Sequence, residues 1–526
     1  MSAPEEQINA KPPSLFRNYI SFVGAAIASA ALVSVFLLFL VEITSKQENP
    51  YLGILTYIIF PSILIFGLFI VILGRILERR RRHKAAPGEI AAYPKLDLND
   101  PRARRAFFVF LVATFLFICA SAFGSYKAYE YSESDAFCGE ACHSVMKPEY
   151  VAYKAGAHSR VGCVHCHVGP GAGWYVRSKL SGAYQLYSVS FKKYPRPITT
   201  PVHNLRPAPE TCEQCHWPEK FFGAQMKVFN HYGYDEKNTL RQTRMLLNVG
   251  GGSPSTGQVA GIHWHMNIAN TIDYISTDQQ RQVIPWVRIR DRKGNVVEYY
   301  DRTKPLTRQQ IDASSKRRMD CVDCHNRPAH VYLPPDAALD QSMAAGRVNP
   351  SLPFVKRQAV ETLNKPYGTE AEGLRAIANG LDGFYKSNYG QVYAENGDAI
   401  KEAITETQRI FKTYFFPEMR TNWETHPNNI GHFYSSGCFR CHDGEHVSDT
   451  GKVIRNDCNI CHTVIYDSAN PAASVKLASF QHPVDLGGLS DRKCETCHKA
   501  NEPFKHPLNL GDISMFQCVE CHPKNP

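Results

Sequence analysis

Unpaired cysteine is almost absent from this sequence: of 17 cysteines, 16 fall into eight pairs and only Cys119 stands alone. Cys119 lies in an apolar run, where a free thiol behaves as a small hydrophobe. A compact basic stripe is also missing, so the formal charge of +10 gives no footing for nucleic-acid binding. The first long apolar run lacks a small-residue cleavage pattern and is too long for the core of a cleaved leader, which predicts a retained anchor. Residues 336–425 contain no histidine, which removes them from any count of metal ligands.

What is present is repetition. Seven cysteine pairs read Cys-x-x-Cys-His: Cys163 and Cys166 with His167, Cys212 and Cys215 with His216, Cys321 and Cys324 with His325, Cys438 and Cys441 with His442, Cys458 and Cys461 with His462, Cys494 and Cys497 with His498, and Cys518 and Cys521 with His522. The eighth, Cys138 and Cys142 with His143, has one extra residue between its cysteines. This pattern is the attachment signature of c-type haem, in which two thiols add across the porphyrin vinyl groups and the adjacent histidine is set under the iron. A zinc ribbon has no reason to follow each pair with histidine, and a redox dithiol would occur once, near a βαβ pattern. Eight repetitions predict a multihaem cytochrome c carrying eight covalent haems. In bacteria such attachment takes place outside the cytoplasmic membrane, so the chain from Cys138 onward is expected in the periplasm.

Three apolar stretches precede the motifs, at 19–41, 51–74 and 107–124, and each is expected to span the membrane. Arg79, Arg80, Arg81, Arg82 and Lys84 follow the second, and Arg102, Arg104 and Arg105 precede the third, so the segment between them is expected in the cytoplasm. The predicted organisation is a membrane anchor with two transmembrane helices and a cytoplasmic loop (1–105), a third transmembrane helix with haems 1–3 (106–225), a β-rich insert (226–318), the haem 4 motif (319–335), a helical insert (336–425) and a C-terminal module with haems 5–8 (426–526). The fold class is that of a multihaem cytochrome c: mostly α, with little regular secondary structure. In the β-rich insert, QVIPWVRIRDRKGNVVEYY predicts a hairpin turning at Gly294. In the helical insert, AEGLRAIANGLDGFYKS and DAIKEAITETQRIFKTYF read as amphipathic helices.

Second axial ligands must come from histidines outside the motifs. Phe480, His482, Pro483, Leu486, Gly487, Cys494, Cys497 and His498 recur 24 residues later as Phe504, His506, Pro507, Leu510, Gly511, Cys518, Cys521 and His522. A spacing held in both copies while intervening residues differ marks His482 and His506 as ligands. His432 and His446 flank the Cys438 motif in a similar way. A strand through GIHWHM would point His263 and His265 to one face, so that one of them reaches the iron of the His216 motif. His203, His231 and His426 are the remaining candidates.

An anchor helix followed by CGEACHSVM, AHSRVGCVHCH, CEQCH and CVDCHNRPAH resembles the NapC/NirT family of membrane-anchored, quinol-oxidising cytochromes c, including its NrfH-like members. The downstream motifs make the layout similar to that of the family's larger inner-membrane members from metal-reducing bacteria. The resemblance covers the third apolar stretch and the first four motifs, and says little of 226–318 or 336–425. It implies that His330 crosses to the iron carried by His167, and His158 to the iron carried by His325. It implies a methionine just after the first motif as a ligand; Met146 stands three residues past His143 where the family has two, and both residues stay candidates. KLSGAYQLY puts Gln185 where the family often has an aspartate that ligates iron or accepts a proton. Lys179, Gln185 and Tyr184 become the candidate quinol site, on a helix with Trp174 and Tyr175 as headgroup-level anchors.

The expected function is that of a membrane-bound octahaem cytochrome of the bacterial inner membrane. It takes electrons from the menaquinol pool and passes them to a periplasmic cytochrome or reductase in anaerobic respiration. Its other expected partners are membrane lipid and further copies or subunits of a complex. A terminal reductase of nitrite, hydroxylamine or sulfite is the alternative, against which stand the absence of a Cys-x-x-Cys-Lys sequence and enough histidines to ligate every iron. A haem adaptor subunit of a respiratory complex is the third reading.

Overall fold

The computed structural model describes residues 14–16, 18–44, 59–84, 98–141, 143–169, 171–202, 205–217, 221, 223–250, 261–266, 270–291 and 293–469. Two compact units emerge, one of 1–133 with 168–184 and one of 134–167 with 185–526.

In the first unit, helices α1 (Tyr19–Thr44) and α2 (Phe60–Lys84) pack along each other, and α3 (Pro101–Ser132) follows. Glycine sets the closeness of the first pair: a Cβ on Gly24 would meet the Gly67 carbonyl at 2.7 Å, and one on Gly67 the Ala28 nitrogen at 2.7 Å. Small residues at such a crossing let backbones approach where lipid gives no hydrophobic drive for association. Among the described residues two helices are long and apolar enough to cross a membrane, Tyr19–Phe39 and Phe60–Arg82. The third expected span lies within α3 and is not one of those two.

The second unit begins at the first motif and continues through helix α4 (His143–Ala155). Helix α5 (Ala172–Ser190) contributes residues to both units. Among the described residues eight strands follow: β1 (Gln225–Tyr232), β2 (Leu240–Leu247), β3 (Thr271–Ile275), β4 (Trp286–Arg290), β5 (Val296–Asp301), β6 (Arg317–Arg318), β7 (His446–Ser448) and β8 (His462–Asp467). They form two sheets, ordered β1-β2-β8 and β6-β3-β4-β5-β7. The β4–β5 hairpin turns where the sequence places it. Asp291 Oδ1 accepts from the Lys293 and Asn295 backbone N–H groups at 2.9 Å each, and Gly294 takes φ +83°. The sheets are not confined to the insert, because β7 and β8 arrive from the region of the fifth and sixth motifs to complete them.

Helices α6 (Pro335–Ala344), α7 (Val355–Leu363), α8 (Glu370–Asn388) and α9 (Gly397–Tyr414) bury Leu339, Val355, Ile377, Leu381, Tyr385, Ile400 and Ile410 in one core. Within it Lys356 Nζ donates to Asp340 at 2.7 Å and to the Tyr232 carbonyl at 2.6 Å, so the core also grips the end of β1. Glu406 is enclosed by Ser342 (2.6 Å), Arg347 (2.7 Å) and Arg409 (2.7 Å). Burial opposes its ionisation, but these hydrogen bonds win and draw its pKa from the ordinary 4.5 down to about 2. A depressed carboxylate stabilises the fold above its unfolded pKa and loses that contribution as pH falls through the folded value. Glu406→Gln is therefore expected to cost about 1–2 kcal/mol at neutral pH, limited because both arginines are half exposed and screened. Denaturant titrations should show the gap between variant and parent closing between about pH 4.5 and about pH 2.

Candidate metal centres

A histidine nitrogen binds a first-row metal at about 2.0 Å and its ring centre lies about 1.2 Å behind it, so two imidazoles across one metal have centroids about 6.4 Å apart. Five motif histidines meet a second histidine at close to that separation. His167 faces His330 at 6.2 Å, His216 faces His158 at 6.2 Å, and His325 faces His263 at 6.3 Å. His442 faces His265 at 5.7 Å, and His462 faces His432 at 6.0 Å.

Five of these ten rings have the outer nitrogen held as a ligand requires, whereas His462 Nδ1 is buried without a partner. A metal-bound imidazole normally gives its other N–H to a carbonyl or carboxylate, which fixes the tautomer and aims the ring. His158 Nδ1 is bonded to the Pro328 carbonyl at 2.9 Å, His263 Nδ1 to Val249 at 2.9 Å and His265 Nδ1 to Ile262 at 2.7 Å. His330 Nδ1 reaches the Glu149 carbonyl at 2.8 Å, and His442 Nδ1 the Arg455 carbonyl at 2.5 Å. In each ring this tautomer leaves the Nε2 lone pair for a metal. Among the described residues no three or more His, Cys, Asp or Glu side chains converge as a closed zinc site needs. Paired histidines beside paired thiols fit haem.

Two assignments implied by the resemblance or by spacing change. His158, expected opposite His325, stands opposite His216; the Pro328 carbonyl just after the fourth motif holds its Nδ1 and turns the ring to the third. His446, expected as a ligand, has Nδ1 on Asp443 at 2.9 Å and Nε2 on the Ile284 carbonyl at 2.7 Å, so both nitrogens are engaged. It opens β7, where the sheet buries it. GIHWHM also departs from expectation. It forms a 3-10 turn, Ile262–Met266, not a strand, so His263 and His265 diverge, and neither meets His216. His426 has Nδ1 3.1 Å from Thr200 Oγ1 and stacks on Tyr332, while its buried Nε2 has no hydrogen-bond partner, so it stays a ligand candidate; His231 contacts Asp340 at 3.2 Å.

The fourth motif shows how local structure sets its thiols. Cys321–Cys324 is one helical turn capped by Asp320, which accepts from the Val322 N–H, while Asp323 accepts from the Asp320 N–H. Tyr274 (2.7 Å), Arg281 (3.1 Å) and Arg317 (2.8 Å) also converge on Asp323. Successive motifs lie against each other: the turn Ala208–Cys212 contacts the turn Cys321–Cys324, and Arg440 of the fifth motif donates to the Asp323 carbonyl of the fourth.

The first motif is less complete. Cys142 lies outside the described residues, as do Cys494, Cys497, His498, Cys518, Cys521, His522, His482, His506 and His203. His143 opens α4 with Met146 one turn on, so both lie on one helix face. Cys458 opens a 3-10 turn, and Cys461 precedes His462 of β8.

Lys179, Tyr184 and Gln185 share α5, which exposes Leu180 and Tyr184 at 67% each and also Leu186. Lys179 Nζ lies over the Tyr175 ring at 4.9 Å and forms an ion pair with Glu133, just past α3. Sequence reasoning missed Glu133, whose one signal is its acidity at the end of an apolar helix.

With paired thiols, paired histidines and apolar helices on the page, the comparisons give the class. The model of the NapC/NirT cytochrome c family, N-terminal region, matches residues 100–199. The chain is 43% identical over 485 residues, 92% of its own length and 95% of the relative's, to the cytochrome c-type protein ImcH of Geobacter sulfurreducens. The chain belongs to this family of membrane-anchored c-type cytochromes, whose cofactor is covalently bound haem c. No solved structure matches it.

Proposed function

We propose that the chain is an octahaem cytochrome of the bacterial inner membrane that oxidises menaquinol and delivers electrons to a periplasmic redox partner in anaerobic respiration. The observation that carries this is the series of facing histidine pairs over five consecutive motifs, from His167 with His330 to His462 with His432. Bound haem supplies one-electron carriers in series; the protein's own part is ligation, placement and proton handling.

His167 with His330, His216 with His158, and His462 with His432 would hold iron from both sides, leaving no coordination position for a substrate. His482 and His506 would serve the His498 and His522 motifs, and His143 or Met146 the first. Helix α3 would be the third span, with the arginine clusters inside and the motifs outside.

Quinol oxidation releases two protons with two electrons, so the site needs a proton acceptor, and a carboxylate can serve. With glutamine at 185, Glu133 is the carboxylate we assign to that task, and Lys179 holds both it and the quinol oxygen. The test is to mix the purified holoprotein with a reduced menaquinone analogue and record haem reduction. Lys179→Ala and Glu133→Gln are each expected to slow reduction about tenfold or more while reduction by dithionite stays unchanged. Failure of the parent to accept electrons from quinols, alongside rapid reduction by a soluble donor, would overturn the proposal.

A further inference from the structure

Residues 262–266 lie in the insert on which the family resemblance is silent, yet they carry two of the five paired histidines. A 3-10 turn has about three residues per turn, so side chains two positions apart point roughly 120° away from each other. His263 and His265 therefore cannot address one iron, and the structure gives each its own motif histidine, His325 and His442.

The turn is fastened on several sides. The Ile262 N–H donates to the Asn248 carbonyl at 2.8 Å and the His263 N–H to Val249 at 3.1 Å, which anchors it just past the end of β2. Gly261 enters it at φ +98°, and a Cβ there would meet the Asn248 carbonyl at 2.6 Å. Asn248 in turn donates to the Cys461 and Asn459 carbonyls at 2.8 Å each, beside the sixth motif. Arg440, inside the fifth motif, donates to the Asp323 carbonyl inside the fourth at 2.6 Å and to the Arg281 carbonyl at 2.9 Å. The two motifs facing the turn are thus fixed to each other as well as to it.

We propose that Ile262–Met266 is a two-headed ligand clip, with His263 completing the iron opposite His325 and His265 the iron opposite His442. The inference rests on the haem reading of the motifs. Ring orientation sharpens it, because the His263 and His325 planes differ by 3° and the His265 and His442 planes by 85°. Parallel imidazoles split the two iron π-orbitals and give a rhombic ferric low-spin spectrum. Perpendicular ones leave them nearly degenerate and give a highly anisotropic spectrum, with the ferrous state relatively favoured. Two neighbouring centres clipped by one turn are thereby made unequal, the fifth the better electron acceptor.

The experiment uses full-length, haem-loaded protein in detergent, with haem content and low-temperature electron paramagnetic resonance read for His263→Ala and His265→Ala. Each variant should keep its haem content, lose one low-spin species and gain a high-spin signal. The lost species should be rhombic for His263→Ala and highly anisotropic for His265→Ala, and added imidazole should restore low spin in both. If an alanine variant fails to accumulate, the methionine variant keeps a ligand and should show a methionine–iron absorption band. Loss of the same species in both variants, or no spectral change in either, overturns the clip. A parent protein without haem would instead sink the cofactor reading, and the expected spectra without quinol reduction would sink only the proposed electron donor.

Discussion

Replacing His330 with alanine is expected to turn one low-spin iron high-spin and to cut quinol-driven electron delivery to an acceptor by about 10- to 100-fold. His330 faces the histidine of the second motif, the first in chain order to meet a second histidine among the described residues, so under the proposed entry of electrons near the membrane a fault there interrupts most of the path. Its support is deep. Glu149 takes the Nδ1 proton on its carbonyl, Arg327 Nε donates to the His330 carbonyl at 2.7 Å, and Arg327 also binds the Glu149 carboxylate at 3.1 Å. Burial opposes ionisation of that carboxylate, yet the Arg327 guanidinium beside it keeps its pKa below the ordinary range. Stopped-flow reduction and optical spectra of the variant check both halves of the expectation. An unchanged Soret region would show that His330 ligates nothing.

Gly437→Ala, one residue before the fifth motif, should be strongly damaging. Gly437 sits at φ +49°, and a Cβ there would lie 1.5 Å from the Gly431 carbonyl oxygen, with Asn429 closing in behind at 3.1 Å. That carbonyl accepts from the Cys438 N–H, so the clash falls on the bond that closes the 431–438 loop. The same loop carries His432, whose ring faces His462. Backbone on backbone cannot yield as a flexible side chain does, and a loss of about 3 kcal/mol or more is expected. Haem staining after electrophoresis, with thermal unfolding of whatever accumulates, measures it. Gly451→Ala is the control: it also takes positive φ, at +79°, but meets nothing within 4 Å.

Much of this chain could be read from its letters because covalent attachment requires a contiguous motif. Cys321, Cys324 and His325 must be neighbours in sequence to serve one porphyrin, and so they are visible without a fold. Second ligands carry no such constraint. His158 is five residues from Cys163, but its partner is chosen by the Pro328 carbonyl 170 positions away. His446 has a ligand's spacing, yet an acid three residues earlier and the Ile284 carbonyl claim its ring. His263 and His265 alternate as strand residues do, and only the contacts of Gly261 with Asn248 and Gly250 force the turn. The hairpin at Gly294 and the helices α8 and α9 were legible because their signals are local: a turn residue and an apolar period.

The pairing of β2 with β8 has a bearing on how the molecule is made. Arg241 of β2 and Asp467 of β8 are joined by a short ion pair although 226 positions separate them. As the polypeptide is made from its N-terminal end, β2 keeps one side bare until the sixth motif has been synthesised and folded against it. A bare edge invites wrong partners, so a chain cut short before His462 presents a surface that proteases and chaperones can recognise. The small sheet thus closes only on a chain complete through the sixth motif.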